Sequence, residues 1–124
     1  MNPKYLPKEH DIQNMILEYL PKMGIFAWRN NTGVTKNFYT NKQGITSERF
    51  WRAGVKGMPD ILGVHRATGR FIAIEVKRPG GKLTKEQAEM ILWLRECNAI
   101  AFVADSLETL QQGLADGLGK GGNS

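Results

Sequence analysis

Residues 56–87 read KGMPDILGVHRATGRFIAIEVKRPGGKLTKEQ, and this stretch carries the clearest structural signals of the chain. It contains two apolar runs typical of β-strands, DILGVH at 60–65 and RFIAIEVKR at 70–78. The four residues RATG between them include Gly69, which suits the tight turn of a hairpin. The stretch therefore predicts two adjacent antiparallel strands, followed by a break in regular structure at PGGK.

Two acidic residues and a lysine are expected to meet across this hairpin. Glu75 and Lys77 are two residues apart, so they share one face of their strand, and Val76 between them points into the core. Asp60 opens the first strand, and antiparallel pairing places it opposite the end of the second strand that carries Glu75 and Lys77. A surface salt-bridge cluster would use the same residue types, but a buried acidic pair is costly unless a partner compensates its charge.

A hard divalent cation is the partner that best explains such a group. Magnesium prefers carboxylate, carbonyl and water oxygens, and it often uses one or two carboxylates together with a substrate phosphate. The backbone carbonyl of Val76 is a further candidate ligand. The cation would make a bound water more acidic and neutralise charge on a phosphate. Lys77, on the same face, would orient that water or stabilise the developing negative charge.

The segments around the hairpin predict a small α/β domain. Thr84 and Gln87 have the spacing of a capping box, which opens a helix. Residues 30–57 show no sustained period and are predicted to form a long loop or a hairpin. The remaining predicted elements are helices at 9–20 and 106–118 and strands at 25–29 and 99–104. The predicted order is α-β-β-β-α-β-α, in one domain over residues 1–118 with a flexible glycine-rich tail at 119–124.

Positive charge is concentrated in one segment of the chain. The formal net charge is +5, and between Arg29 and Lys56 six basic residues stand against Glu48 alone, so this segment carries the whole net charge. Aromatic residues are interleaved with these charges, which suits a phosphate backbone and exposed bases. A solvated basic loop has the same composition. The candidate nucleic-acid-binding residues are Arg29, Lys36, Arg49, Arg52 and Lys56.

Other classes of site find little support in the sequence. Cys97 is the single cysteine, which excludes an internal disulfide and favours a reducing compartment. His10 and His65 have no partners at zinc-ligand spacing, and there is no phosphate-binding glycine loop, so neither zinc nor a nucleotide cofactor is expected. The sequence has no secretion signal or membrane span, so a cytoplasmic protein is expected. Trp93 is expected to pack against the core.

The motifs of the central stretch resemble those of the PD-(D/E)XK nuclease superfamily. More narrowly, they resemble the virus-type replication-repair nuclease (VRR-NUC) domain in its stand-alone phage or bacterial form. The resemblance implies a restriction-endonuclease-like core, in which helices flank a small mixed sheet. It also implies a metal bound by Asp60, Glu75 and the Val76 carbonyl, with Lys77 assisting catalysis. The similarity covers residues 9–105 and rests on EHDIQ at 9–13, WRNNTG at 28–33, KGMPDI at 56–61, EVK at 75–77 and GKLTKEQ at 81–87.

Two further positions have both a structural and a functional interpretation. Glu9 lies on the apolar stripe of the first helix, where a carboxylate either interacts with the helix dipole or joins the metal site. The resemblance favours the second role for Glu9. Gln87 completes the capping box in the structural interpretation, whereas the resemblance places it facing the active site.

The resemblance implies a magnesium-dependent endonuclease that cuts DNA, with manganese able to substitute. Stand-alone members of this family suit branched DNA and four-way junctions, in the cytoplasm of a bacterium or a phage-infected host. Two cuts need two active sites, so a homodimer is expected from a domain of this size. Two alternatives remain at this point. One is a basic DNA-binding protein without catalysis, and the other is a nuclease that acts on RNA, which contains the same phosphodiester.

Overall fold

The protein alternates short helices and strands in a pattern close to the predicted one. The computed structural model describes residues 6–30 and 33–119, without the side chains of 33–37 and 48–53. In chain order the elements are α1 (Glu9–Tyr19), a short 3-10 helix (Leu20–Met23), β1 (Ile25–Arg29), β2 (Gly33–Thr40), β3 (Thr46–Ala53), β4 (Ile61–His65), β5 (Phe71–Val76), α2 (Lys85–Glu96), β6 (Ile100–Ala104) and α3 (Leu107–Gly119). The predicted glycine-rich tail lies outside the described residues from position 120 onward.

A four-stranded mixed sheet forms the centre of the fold, in the order β1-β4-β5-β6. The predicted hairpin is confirmed, because β4 and β5 are antiparallel with Ile61 opposite Ile74 and Leu62 opposite Ala73. Strand β1 also pairs antiparallel with β4, and β6 pairs parallel with β5. The parallel pair needs a crossover connection, which α2 supplies.

The two faces of the sheet carry different layers of the core. On the first face Ile72, Ile74 and Val76 are fully buried, together with Ile16 of α1 and Leu114 of α3. These alternate residues of β5 point to one side, as the pleat requires. The second face is covered by α2, where the cluster consists of Ala73, Ile91, Leu94, Ala99 and Ala101.

Helix α2 begins as predicted but presents a different side to the core. Thr84 and Gln87 form both hydrogen bonds of the capping box, which confirms the predicted helix start. The expectation for Trp93 is wrong, since its side chain is 57% exposed. Ile91 and Leu94 fill the space under the helix instead, so Trp93 faces solvent.

The predicted element order requires one correction, in residues 30–57. Of the two alternatives for this segment, the hairpin is right, and β2 and β3 form a two-stranded sheet of their own. The pairs run from Gly33 opposite Ala53 to Thr40 opposite Thr46. These strands are two elements that the predicted order lacked. A hairpin outside the central sheet needs no alternating apolar face, so its strands give no clear periodic signal in the sequence.

The described helices include none that is both long and apolar enough to cross a lipid bilayer.

Candidate active site

Asp60 and Glu75 lie side by side where the hairpin of β4 and β5 ends. Extending the observed register by one pair sets Asp60 opposite Glu75. The backbone N–H of Val76 donates a hydrogen bond to Asp60 Oδ2 at 2.8 Å, which fixes the carboxylate against β5. The structure therefore brings together the two carboxylates that are fifteen positions apart in the sequence.

The backbone around Asp60 is held from the β1 side by Asn30. The Asn30 N–H donates to the carbonyl of Asp60 at 2.7 Å, and its side-chain amide donates to the carbonyl of Pro59 at 3.1 Å. These bonds continue the pairing of β1 with β4 beyond the last residues of the strands. Sequence reasoning gave Asn30 no role, although the WRNNTG motif that contains it was part of the resemblance.

Glu75 is the most deeply buried charged residue of the site, with 2% of its surface exposed. Its Oε1 accepts a hydrogen bond from Gln87 Nε2 at 3.2 Å and lies 3.8 Å from Lys77 Nζ. Its Oε2 is buried and has no hydrogen-bond partner, the one such side-chain atom in the described part of the chain. An unpaired buried oxygen of this kind is costly, which indicates that a further ligand completes the site.

Burial and, as the next cause, the neighbouring carboxyl of Asp60 together raise the pKa of Glu75 to about 8. Lys77 acts in the opposite direction, because its positive charge favours the ionised carboxyl. A pKa shift in this direction is expected for a buried carboxyl that has a second carboxyl beside it. A divalent cation would reverse the balance by stabilising both ionised forms.

Gln87 fulfils both of the roles that its position suggested. Its Oε1 accepts from the Thr84 N–H at 2.9 Å, and its own N–H donates to Thr84 Oγ1 at 3.1 Å, which completes the capping box. The amide nitrogen of the same side chain donates to Glu75. The two interpretations are therefore compatible, because the start of α2 lies against the end of β5.

Glu9 lies in the first turn of α1. Its negative charge raises the pKa of Glu75, as the weakest of the named causes. Among the described residues, no three His, Cys, Asp or Glu side chains are close enough together to form a metal-binding group. Glu9 therefore does not form a three-carboxylate cluster with Asp60 and Glu75.

The donor set fits a hard cation even though only two carboxylates meet. Asp60 and Glu75 supply carboxylate oxygens, one of them buried and unpaired. The Val76 side chain is fully buried in the core, so only its backbone faces the site. Magnesium typically takes one or two carboxylates and completes its octahedron with water and substrate oxygens.

The predicted basic residues have different surroundings. Arg29 is hydrogen-bonded to α1, where its Nε donates to Gln13 Oε1 at 2.9 Å and its Nη2 donates to Asn14 Oδ1 at 2.6 Å. Lys56 is exposed and pairs with Glu86 of α2 at 3.6 Å. The side chains of Lys36, Arg49 and Arg52 lie outside the described part of the structure, although their backbones belong to β2 and β3.

The fold and the order of these residues correspond to a nuclease of the PD-(D/E)XK type, with Asp60 directly before β4, Glu75 near the end of β5 and Lys77 directly after it. Comparison with family models gives the narrower assignment. The model of the VRR-NUC domain matches residues 7–108, which is most of the chain, and the protein belongs to this family of nucleases. No curated protein matches the sequence.

Proposed function

We propose that the protein is a magnesium-dependent endonuclease that hydrolyses DNA phosphodiester bonds. The observation that carries the proposal is the buried, unpaired Oε2 of Glu75, beside Asp60 and within reach of Lys77. A surface ion-pair cluster would not bury an acid to this degree or leave an oxygen unpaired. This argument, together with membership of a nuclease family, favours catalysis over passive DNA binding.

Asp60, Glu75 and the Val76 carbonyl would hold a magnesium ion, and manganese would substitute for it. The ion would supply charge neutralisation on the scissile phosphate and acidify a coordinated water. Lys77 orients the attacking water or stabilises the negative charge that develops on the phosphate. Gln87 keeps Glu75 in position from the first turn of α2. Glu9 acts through water, since it is not part of a three-carboxylate cluster.

We propose branched DNA, including four-way junctions, as the substrate, and a homodimer as the active assembly. A domain with one site cuts one strand, and a two-fold dimer matches the symmetry of a four-way junction. The basic segment from Arg29 to Lys56 would hold the phosphate backbone.

A substrate panel tests this proposal. Labelled linear, flapped and four-way-junction DNA, with RNA of the same sequences, would be incubated with magnesium or with a chelator. We expect cleavage of DNA that magnesium supports and the chelator abolishes, with the branched forms cut fastest. Binding without cleavage under all conditions would instead identify a non-catalytic DNA-binding protein, and preferential cleavage of the RNA set would identify a ribonuclease.

A further inference from the structure

We propose that Trp28 and Phe26 form a stacking surface for nucleobases of the strand that is being cut. The inference rests on the proposed nuclease function and deepens it. It defines the substrate class as DNA with unpaired bases beside the scissile phosphate.

Two aromatic side chains stand next to each other on the edge strand β1 and face solvent. Phe26 is 73% exposed and Trp28 is 41% exposed. Their ring centroids are 5.7 Å apart and the ring planes are tilted by 50°. Single exposed apolar residues are common, but two adjoining exposed aromatic rings on one strand form an apolar surface that the fold itself does not use.

The register of the sheet places this pair on the same face as the catalytic residues. Trp28 is opposite Leu62, and Leu62 is opposite Ala73. Asp60 and Glu75 lie two residues from Leu62 and Ala73, so period-two alternation puts them on that face too. Trp28 is thus a diagonal neighbour of Asp60, a relation that spans about 7–8 Å between strands.

Helix α2 packs on this same face of the sheet, but Phe26 and Trp28 on the edge strand β1 stay exposed. The buried residues of the cluster under α2 come from β5, α2, β6 and the residue before β6, and β1 contributes none of them. The neighbouring Arg29 points to the opposite face, where it bonds to Gln13 and Asn14 of α1. The aromatic pair and the acidic pair therefore lie on one face of the sheet, with the rings exposed on the edge strand and Glu75 buried further in.

The chemistry of the surface selects for bases that are not paired. Every base has a flat π-face, and aromatic side chains bind it by stacking with little sequence preference. Bases inside a duplex already stack on their neighbours, so they offer no free face to Trp28. A base freed at a branch, flap or gap offers such a face, and stacking on Trp28 would hold it on the sheet face that carries Asp60.

Photo-crosslinking with wild-type protein tests the contact directly. A flapped DNA would carry 5-iododeoxyuridine at successive positions of the unpaired strand, with calcium replacing magnesium as an oxygen-binding cation. We expect crosslinks to Trp28 or Phe26, found by mass spectrometry of the digested protein. Crosslinks to Trp93, or to neither of the two proposed residues, would overturn the proposal.

Affinity measurements with matched variants test its energetic weight. Trp28→Ala should weaken binding to flapped DNA by roughly 5- to 150-fold, the cost of losing one stacked base. Trp28→Phe keeps a π-face and should recover most of the affinity. Trp93→Ala removes an exposed tryptophan of α2 and should change nothing. Equal binding by wild type and Trp28→Ala would refute the stacking surface.

Two further outcomes separate this inference from its alternatives. If Trp28→Ala turned a dimer into a monomer in analytical ultracentrifugation, the pair would belong to a protein interface and the proposal would be wrong. If the wild type failed to cut any DNA with magnesium but still crosslinked through Trp28, the proposed catalytic function would fail and the base contact would stand.

Discussion

At the scale of single residues, Glu75 is the centre of the site because its two carboxylate oxygens have different surroundings. One oxygen is bound by Gln87 and lies near Lys77, whereas the other is buried without a partner. A carboxyl in this state is neutral when the site lacks a cation and ionised when a cation binds. Metal binding and proton release are therefore expected to be linked at this residue.

Replacing the acidic residues should abolish cleavage without unfolding the protein. Asp60→Ala and Glu75→Ala should each lower the cleavage rate at least about 100-fold, since electrostatic stabilisation of a transition state has at least this size. Lys77→Ala should lose most of the activity yet retain metal binding in a titration, because the lysine is not a ligand. Glu89→Gln, on the exposed side of α2, is the matched control and should cleave normally.

Undiminished cleavage by purified Asp60→Ala or Glu75→Ala would refute the assignment of the active site. Loss of metal binding in Lys77→Ala would contradict the role given to the lysine.

The raised pKa of Glu75 predicts that stability without metal falls as pH rises. The folded state keeps its proton up to about pH 8, whereas the unfolded carboxyl loses it near 4.5. Between these values the folded state binds more protons, so the free energy of unfolding decreases with increasing pH. Thermal melts from pH 5 to pH 8 in chelator should show this fall, and Glu75→Gln should remove most of it. A melting temperature that rises over this range in the wild type alone would contradict the expectation.

At the scale of elements, α3 approaches β6 closely because glycines lie between them. A Cβ added at Gly113 would lie 2.3 Å from the ring of Phe102, and one added at Gly117 would lie 2.3 Å from Ile100 Cγ2. Both partners are buried in the core, so they have little room to move. Close packing of this helix then holds the outer edge of the sheet.

The substitution Gly113→Ala should therefore destabilise the protein. Overpacking costs about 1–3 kcal/mol, which outweighs the gain of about 1 kcal/mol from replacing a helical glycine. Gly119→Ala is the control in the same helix, because a Cβ there meets nothing within 4 Å. Urea denaturation of both variants measures the difference. A Gly113→Ala protein as stable as the control would show that α3 can shift without cost.

At the scale of the whole molecule, the positively charged segment from Arg29 to Lys56 leads along the chain into the acidic site at Asp60. Along the chain the β2–β3 hairpin lies between β1 and β4, with Asn30 three residues before it and Asp60 seven residues after it. The hairpin segment carries most of the basic residues of the chain's positive region. A two-stranded hairpin is only marginally stable alone, so contact with DNA is expected to add to its stability.

Neutralising three basic residues of this region should reduce the salt dependence of DNA binding. Each phosphate contact contributes close to one unit of slope in a plot of log affinity against log salt. The triple variant with Arg49, Arg52 and Lys56 changed to Gln should therefore flatten the slope by roughly 2 to 3. Lys22 and Lys85 lie outside the segment, and their replacement by Gln serves as the control. An unchanged slope in the triple variant would identify the segment as a solvated surface.

The sequence by itself determined the features that depend on local spacing. The alternation in β5 assigned Ile74 and Val76 to one face and Glu75 and Lys77 to the other, and the structure has the same arrangement. The turn at RATG and the capping box at Thr84 were equally local, since each depends on a few neighbouring residues. The motifs around Asp60 and Glu75 were sufficient to predict the family. Their order and spacing along the chain reflect the hairpin that brings the two residues together.

Which surfaces are covered, and which groups meet across the fold, depends on how the elements pack together. Both Trp93 and Trp28 are exposed, but the strand register makes only Trp28 a diagonal neighbour of Asp60. The anchoring of Asp60 by Asn30, and the double role of Gln87, depend on which strand and helix end come together. Periodicity gives the direction of a side chain, but the partner that it meets depends on how distant elements pack, and this is why these contacts could not be predicted from the sequence.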